Sequence, residues 1–171
     1  MNYANYAAVH ARHLPDKICL IERTPSLNQR RTLTWCQFND EINKVANYLA
    51  KDLGIKDGDF VMHLQNNSLE WLITYYGIIK IGAVVVPLNF RFVGADILYA
   101  ARICNPRAFI IGSEFLAVVQ PVQKDLKTVE KFICVGESVP DDMIDYRTLA
   151  AGSDISEAIV DVDDHHDLAM M

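Results

Sequence analysis

The chain has 171 residues, of which 51% are hydrophobic, and a formal net charge of −6. This length suits one domain with a sizeable core. The modest acidic balance, without a cluster of lysines or arginines, argues against binding to nucleic acid or to an anionic membrane surface. The four cysteines lie far apart without a C-x-x-C motif, which argues against a disulfide framework or a zinc site. We therefore expect reduced thiols and a cytoplasmic protein without a signal peptide or a membrane span.

Strand and helix signals alternate from the start of the chain. A first helix is predicted over residues 3–13, and residues 18–23 and 31–34 are typical of a hairpin around a polar loop. Thr34 and Gln37 have the spacing of a capping box, which predicts the start of a second helix that ends at Gly54. The apolar residues that recur on one face of this helix are Phe38, Ile42, Val45, Ala46, Leu49 and Leu53.

The middle of the sequence is its most apolar part. Residues 60–64 predict a strand, and residues 68–81 predict a helix that is apolar on nearly every side. Gly82 ends this helix and a second buried strand follows at 83–87. We expect the helix to be largely buried, so that replacing Trp71 by Ala would cost about 3 to 5 kcal/mol.

The second half continues the alternation with weaker signals. A helix ends before Asn105-Pro106, and strands are predicted at 107–111 and 131–135. The segment 136–167 is rich in loop residues, with one short helix near 146–151, and could be a linker. The whole pattern predicts an α/β protein of layered design, with a parallel or mixed sheet flanked by helices, as one unit over residues 1–171.

Polar side chains follow the strand predicted at 83–87. Asn89 and Arg91 come directly after it, and ligands of open α/β sheets bind at the carboxyl ends of the strands. An arginine there indicates contact with a phosphate or a carboxylate. The other interpretation of Arg91 is a surface residue at the end of a strand.

Three stretches in order resemble the adenylate-forming superfamily, and in particular its acyl-CoA synthetases. They are Leu33-Thr34-Trp35 with Phe38, then Gly54-Ile55-Lys56-Asp57-Gly58-Asp59, and then Ile79-Lys80-Ile81-Gly82-Ala83 through Pro87-Leu88-Asn89. The resemblance covers the N-terminal third of such enzymes. It implies a truncated N-terminal subdomain of the AMP-binding domain, because the chain carries no glycine-rich phosphate loop, no Walker spacing and no G-x-G-x-x-G.

The resemblance implies the activity of an acid–CoA ligase. Such an enzyme activates a fatty or aromatic acid with ATP and Mg²⁺ as an acyl-adenylate and then transfers the acyl group to CoA. It also implies that Arg91, and less strongly Arg102 in the next helix, lie near the phosphates of CoA. We expect no catalytic residue, no metal ligand and no bound cofactor in residues 1–171 themselves.

Two alternatives to this function remain open. The parent could be a luciferase-like enzyme or one that loads a carrier protein, or the chain could be a non-catalytic α/β binding module. Asn89-Phe90-Arg91 favours the CoA-ligase branch over peptide-synthetase domains, which usually have Asp-Pro and Tyr-Pro after the strand. The apolar run 168–171 resembles an unfinished strand, whose open edge could support self-association or a homodimer.

Other residues with chemical potential have simpler interpretations. The acidic run 161–167 contains two adjacent histidines, which rarely share one metal ion, and it is interpreted as a solvated linker. His10 and His13 fit a surface pair better than a metal site. Cys36 could have a lowered pKa in the first turn of a helix, but it is interpreted as an ordinary thiol. Trp71 and its neighbours Tyr75 and Tyr76 are expected in the core, with a wall of an acyl pocket as the alternative.

Overall fold

The computed structural model describes residues 3–151 and 154–158. Six α-helices and seven strands are found in these residues. The strands are β1 (Ile18–Thr24), β2 (Gln29–Thr34), β3 (Phe60–Leu64), β4 (Val84–Pro87), β5 (Ala108–Gly112), β6 (Lys131–Val135) and β7 (Ile144–Asp145). The helices are α1 (Asn5–His13), α2 (Trp35–Asn47), α3 (Leu69–Lys80), α4 (Gly94–Cys104), α5 (Leu116–Val119) and α6 (Tyr146–Ala150).

The strands form two separate sheets. β1 and β2 make the predicted antiparallel hairpin, and the other five strands form a parallel sheet in the order β4-β3-β5-β6-β7. The α/β layered fold is therefore confirmed. Parallel neighbours need long crossover connections, and here these carry the helices that cover the sheet.

Local signals start and end the helices that matter for the site. The predicted capping box is present, since Thr34 Oγ1 accepts from the Gln37 amide and the Gln37 side chain accepts from the Thr34 amide. Ser68 Oγ caps α3 by accepting from the Trp71 amide at 3.0 Å. Gly82 ends α3 with φ +76°, a conformation that only glycine adopts without strain.

The end of α2 differs from the prediction. The α-helix stops at Asn47 and continues as one wider π-helical turn over Tyr48–Asp52, rather than running as a regular helix to Leu53. Leu49 and Leu53 are nevertheless buried, as the apolar periodicity predicts. Gly54, at φ +66°, follows the turn.

The parallel sheet is buried on both faces, because its strands divide their side chains between two clusters. Val61 of β3 lies in the cluster under α2 and α3, whereas Met62 and Leu64 lie in the cluster under α4 and α5. All five residues of β5 are buried. A strand that is buried on both faces has a continuous apolar sequence, which is why the position of β5 could be predicted.

Helices α2 and α3 approach closely at Gly77. A Cβ atom added at this glycine would lie 2.7 Å from Val45 Cγ1 and 3.4 Å from the Ala46 amide nitrogen. The absence of a side chain at position 77 therefore sets the distance between the two helices. Their shared layer contains the largest part of the core, including Ile42, Val45 and Ile78.

The predicted strands agree with the structure to within one residue at each end, except that β2 begins at Gln29, two residues before its predicted start. β7 was not predicted, since two residues carry no periodicity, and it lies within the segment interpreted as a linker. The short helix predicted near residues 146–151 is confirmed as α6. The acidic run 161–167 and the apolar run 168–171 lie outside the described residues, so both interpretations stay predictions.

No helix found in residues 3–151 or 154–158 combines the length and the apolar character that a membrane crossing requires.

Candidate ligand site at the carboxyl edge of the sheet

The order of the strands makes one edge of the sheet a natural place for a ligand. The chain passes from β3 to β4 through α3, then crosses back over β3 to β5 through α4 on the opposite face. The direction of winding therefore reverses between β3 and β5. Ligands of open α/β sheets bind beyond the carboxyl ends of the strands at such a switch point.

A cavity of about 500 Å³ lies at this edge, between the loop after β3 and the loop after β4. Its walls combine aromatic rings with side-chain amides, a mixture that suits a planar or amide-rich ligand. The lining residues are Gln65, Asn66, Asn67, Trp71, Pro87, Leu88, Asn89 and Phe90.

The space directly between β3 and β5 is occupied by an acidic side chain. Glu114 follows β5, and its Oε1 atom accepts a hydrogen bond from the Asn66 amide at 3.1 Å. A carboxylate at this point repels anions. A phosphate at this edge is therefore better placed on the β4 side, where Arg91 lies.

Arg91 is exposed in the loop after β4. Its amide donates to Asn89 Oδ1 at 2.9 Å, and its Cζ atom lies 5.3 Å from the centre of the Phe90 ring. The Asn89 contact orders the turn, and the guanidinium rests on an aromatic face. Arg91 makes no ion pair with any residue of the described part of the chain, so its charge is available to a ligand.

Arg102 does not share this place. It lies, exposed, in the last turn of α4, whereas Arg91 precedes the first turn of the same helix. At 1.5 Å per residue, about 12 Å of helix separates Gly94 from Arg102. The two predicted phosphate contacts are thus not brought together, and the prediction for each remains open.

A buried polar cluster adjoins the cavity. It was not predicted from the sequence. His63 is fully buried in β3, and its Nε2 atom lies 2.8 Å from Thr74 Oγ1 and 2.8 Å from Gln65 Nε2. Burial lowers the pKa of His63 to about 3, so the ring is neutral. A histidine inside the apolar strand F-V-M-H-L is the signal that could have revealed it.

Trp71 connects this cluster with the cavity. Its indole packs against the His63 ring at 5.2 Å between centroids and stacks on Tyr75 at 5.2 Å with 17° between the planes. The side chains of Trp71, Tyr75 and Tyr76 are half-buried rather than fully in the core. Trp71 therefore packs on the interior and also lines a cavity, while its role as a wall of an acyl pocket stays a prediction.

The remaining candidate residues that the structure describes form no second site. The His10 ring packs on Trp35 at 4.5 Å, and no group of three or more potential ligands within residues 3–151 and 154–158 could hold a metal ion. The nearby Asp40 carboxylate raises the pKa of the Cys36 thiol, with Sγ 3.7 Å from Oδ2. The helix dipole therefore does not activate Cys36, and it is an ordinary thiol.

A larger cavity of about 770 Å³ lies away from this edge, between the end of α2 and α6. It contains three cationic side chains, but each is paired with a carboxylate: Lys44 with Glu41, Lys51 with Asp154, and Arg147 with Asp145. The positive charge of these three side chains is thus already neutralised by carboxylates of the chain itself. The cavity at the carboxyl edge is the better candidate for an anionic ligand.

Comparisons with known proteins agree with this architecture. Residues 7–171 match the family model described as AMP-binding enzyme. A crotonobetaine/carnitine–CoA ligase of Salmonella paratyphi B is 31% identical over 113 residues, which cover 66% of this chain and 22% of the relative. The matched region is thus about a fifth of that enzyme's length.

Two solved structures share the fold. The anthranilate CoA ligase AuaEII, in complex with anthranoyl-AMP, is 27% identical with a TM-score of 0.80, over 88% of this chain and 28% of that one. The N-terminal domain of FACL13 from Mycobacterium tuberculosis is 25% identical with a TM-score of 0.83, over 100% of this chain and 41% of that one. Both matches place the chain in the N-terminal portion of the fold. The chain therefore belongs to the AMP-binding enzyme family, among relatives that are acyl-CoA ligases.

Proposed function

We propose that this chain is the N-terminal part of an acid–CoA ligase and that Arg91 contacts a phosphate of CoA. The observation that carries the proposal is an exposed arginine without an ion-pair partner among the described residues, beside an amide-lined cavity at the carboxyl edge of a parallel sheet. The names of the relatives, which are CoA ligases, support CoA rather than a carrier protein as the acyl acceptor.

The proposed reaction has two steps. A carboxylate oxygen attacks the α-phosphorus of ATP and pyrophosphate leaves, which gives an acyl-adenylate. The thiol of CoA then attacks the acyl carbon, loses its proton, and AMP leaves. Adenylation is needed because an oxide is a poor leaving group, whereas a phosphate ester is a good one. Cations such as Mg²⁺ offset the negative charge on the phosphates.

The acid is proposed to be a fatty or aromatic carboxylic acid. Support comes from the relatives, whose names include an anthranilate ligase and a fatty acyl CoA synthetase. We assign neither ATP nor Mg²⁺ to a residue of this chain. Residues 1–171 alone are proposed to be inactive. We also propose that the enzyme is cytoplasmic and that it forms a homodimer.

The role of Arg91 follows from its chemistry. A guanidinium presents a planar fork that pairs with phosphate oxygens in two hydrogen bonds. Its stacking on Phe90 holds the fork at the rim of the cavity without using its donors. Arg102 is the second candidate, and its distance from Arg91 along α4 means that it would contact a different part of a bound CoA.

The test separates the two half-reactions in the full-length enzyme. Arg91→Ala should raise the apparent KM for CoA about ten- to a hundredfold, which corresponds to about 1.5 to 3 kcal/mol of charge-assisted hydrogen bonding. Acid-dependent exchange of pyrophosphate into ATP, measured without CoA, should stay within about twofold. Arg91→Lys should recover part of the loss, because it keeps the charge but not the fork.

Arg30→Ala is the matched control, since Arg30 is an exposed arginine on the hairpin and does not line the cavity. It should leave both half-reactions unchanged. If Arg91→Ala slows both half-reactions equally, the residue is structural and the assignment to CoA is wrong. Acid-dependent exchange by residues 1–171 alone would contradict the proposed inactivity of this part.

A further inference from the structure

A short segment near the end of the described chain is bound along the surface of α2. We call residues 154–158 the strap. Three asparagines of α2 at four-residue spacing donate to it: Asn47 to the carbonyl oxygens of Asp154 and Ser156, and Asn43 to that of Ile155, at 2.8 to 3.1 Å. Asn39 donates to the Glu157 carboxylate at 2.6 Å. The strap therefore runs antiparallel to α2, towards its first turn.

These amide contacts hold the strap without defining its register. Asn47 and Asn43 donate to the carbonyls of three successive residues, 154 to 156. The backbone is turned there, since the Asp154 carboxylate accepts from the Ser156 amide at 3.0 Å. Because every residue offers a carbonyl, a strap displaced by two residues would make equivalent hydrogen bonds.

The Glu157 carboxylate is the side-chain group of the strap that reaches a buried cation, besides accepting from the Asn39 and Asn43 amides. The Glu157 carboxylate lies 2.7 Å from Lys80 Nζ, and the Lys80 side chain is only 1% exposed. Lys80 also donates to Asn39 Oδ1 at 3.2 Å. A backbone carbonyl cannot replace a carboxylate here, because a buried ammonium without a counter-charge is strongly unfavourable.

The charges around this pair agree with its ionised state. Burial lowers the pKa of Lys80, while Glu157 and Asp40 oppose that change. Burial raises the pKa of Glu157, but hydrogen bonds from Lys80 and Asn39 outweigh it, so the pKa lies below its ordinary value. The 2.7 Å separation of Lys80 Nζ from the Glu157 carboxylate is that of an ion pair.

We propose that the ion pair between the buried Lys80 ammonium and the Glu157 carboxylate, whose side chain is 46% exposed, fixes the register of the strap on α2. A strap displaced by two residues would place Ile155 opposite Lys80 and separate the ammonium from the Glu157 carboxylate. A charged pair with a buried member is suited to setting such a register. Lys80 and Glu157 are then positioning residues for the chain that continues beyond the strap, whatever reaction the enzyme performs.

The second ion pair of the strap provides a matched control. Lys51 Nζ pairs with Asp154 at 2.5 Å, but the side chains are 60% and 45% exposed. Exposed pairs of this kind contribute little. Lys51→Met should therefore leave the position of the strap unchanged.

The decisive experiment moves the carboxylate along the strap. In the double variant Glu157→Gln, Ile155→Glu, the strap should move by two residues so that residue 155 meets Lys80. Spin labels on the native Cys36, in the first turn of α2, and on Ser156→Cys would report the movement in the full-length protein, with its other accessible thiols replaced. The distance should shorten by up to about 6 Å, because the strap moves towards that turn.

A second variant covers the case in which the moved carboxylate prevents folding. With Lys80→Met and Glu157→Leu together, the apolar replacement should keep the fold but allow more than one register, so that the distance distribution broadens. A single distance equal to that of the unmutated protein, in either double variant, would overturn the proposal. The proposal would also be overturned if Lys51→Met displaced the strap as far as the double variant with Lys80→Met does.

Discussion

On one side of the five-stranded sheet, α4 and α5 cover a cluster made only of apolar side chains, including Met62, Phe109 and Ile111. On the other side, the layer of α2, α3 and the end of β3 contains all seven buried polar or charged residues found in the described part of the chain. These residues are Asn39, Asn43, Asn47, His63, Gln65, Thr74 and Lys80. One face of the sheet is therefore covered by apolar packing alone, whereas the other combines the larger apolar cluster with hydrogen-bonded polar groups.

This difference between the two faces explains why the contacts that require one fixed geometry lie on the side of α2 and α3. Apolar packing is non-directional, and many combinations of similar volume satisfy it. A buried polar group is stable only with its partner in place, so it favours one arrangement. The buried polar groups accordingly hold both Trp71 at the cavity wall and the strap on α2, while the apolar clusters on both faces of the sheet supply stability.

The largest effect is expected in the apolar layer. Phe109→Ala removes a side chain that is 0% exposed, and the loss of burial together with the cavity should lower the free energy of unfolding by about 3 to 5 kcal/mol. Trp71→Ala should cost less, because its half-buried side chain borders a cavity already. Denaturant unfolding of both variants measures the difference. Equal losses would show that Trp71 is packed as tightly as the core.

The next effect concerns the distance between α2 and α3. Gly77→Ala places a methyl group 2.7 Å from Val45 Cγ1, and overpacking of this kind should cost about 1 to 3 kcal/mol. Combining it with Val45→Ala should restore part of the loss, since the contact with Cγ1 is removed and a contact of 3.0 Å with the Cβ atom of residue 45 remains. A double-mutant cycle in thermal or chemical unfolding tests this coupling. Purely additive losses would mean that the helices do not touch at this point.

The buried histidine should make stability depend on pH. The pKa of His63 is about 3 in the folded chain and about 6.5 when unfolded. Between these values the unfolded chain binds more protons, so this contribution falls as pH decreases below about 6.5 and is fully lost near pH 3. The loss amounts to about 2 kcal/mol at pH 5. In His63→Gln the slope of stability against pH should be reduced over this range; an unchanged slope would contradict the buried, neutral ring.

The smallest effects are expected from two substitutions that conserve the shape of the side chain, one on each face of the sheet. Thr74→Val removes the hydroxyl that contacts His63 at 2.8 Å and should cost about 0.5 to 1.5 kcal/mol, since Gln65 still contacts the ring. Met62→Leu, in the apolar layer, should change the volume little and cost less than the loss of that hydroxyl. The comparison would fail if Met62→Leu proved the more damaging of the two in unfolding experiments.

Much of the fold could be predicted because its signals are local. The capping box of Thr34 and Gln37, the glycine that ends α3 and the apolar strands all depend on residues within a few positions of one another. The same is true of Arg91, whose place follows from the strand directly before it. Resemblance to acyl-CoA synthetases then assigned these elements to a family, which the comparisons confirmed.

The features that only the tertiary structure decided join residues far apart in the sequence. The row of three asparagines is visible in the sequence, but its partner, the strap, lies more than 100 positions later. β7 exists only because two residues pair with β6, and His63 is neutral only because α3 covers it. Local periodicity and capping act over one helical turn, so sequence determines the elements. Burial and charge pairing arise when those elements pack, so the arrangement of the buried polar groups, the cavity at the carboxyl edge and the register of the strap are properties of the folded molecule.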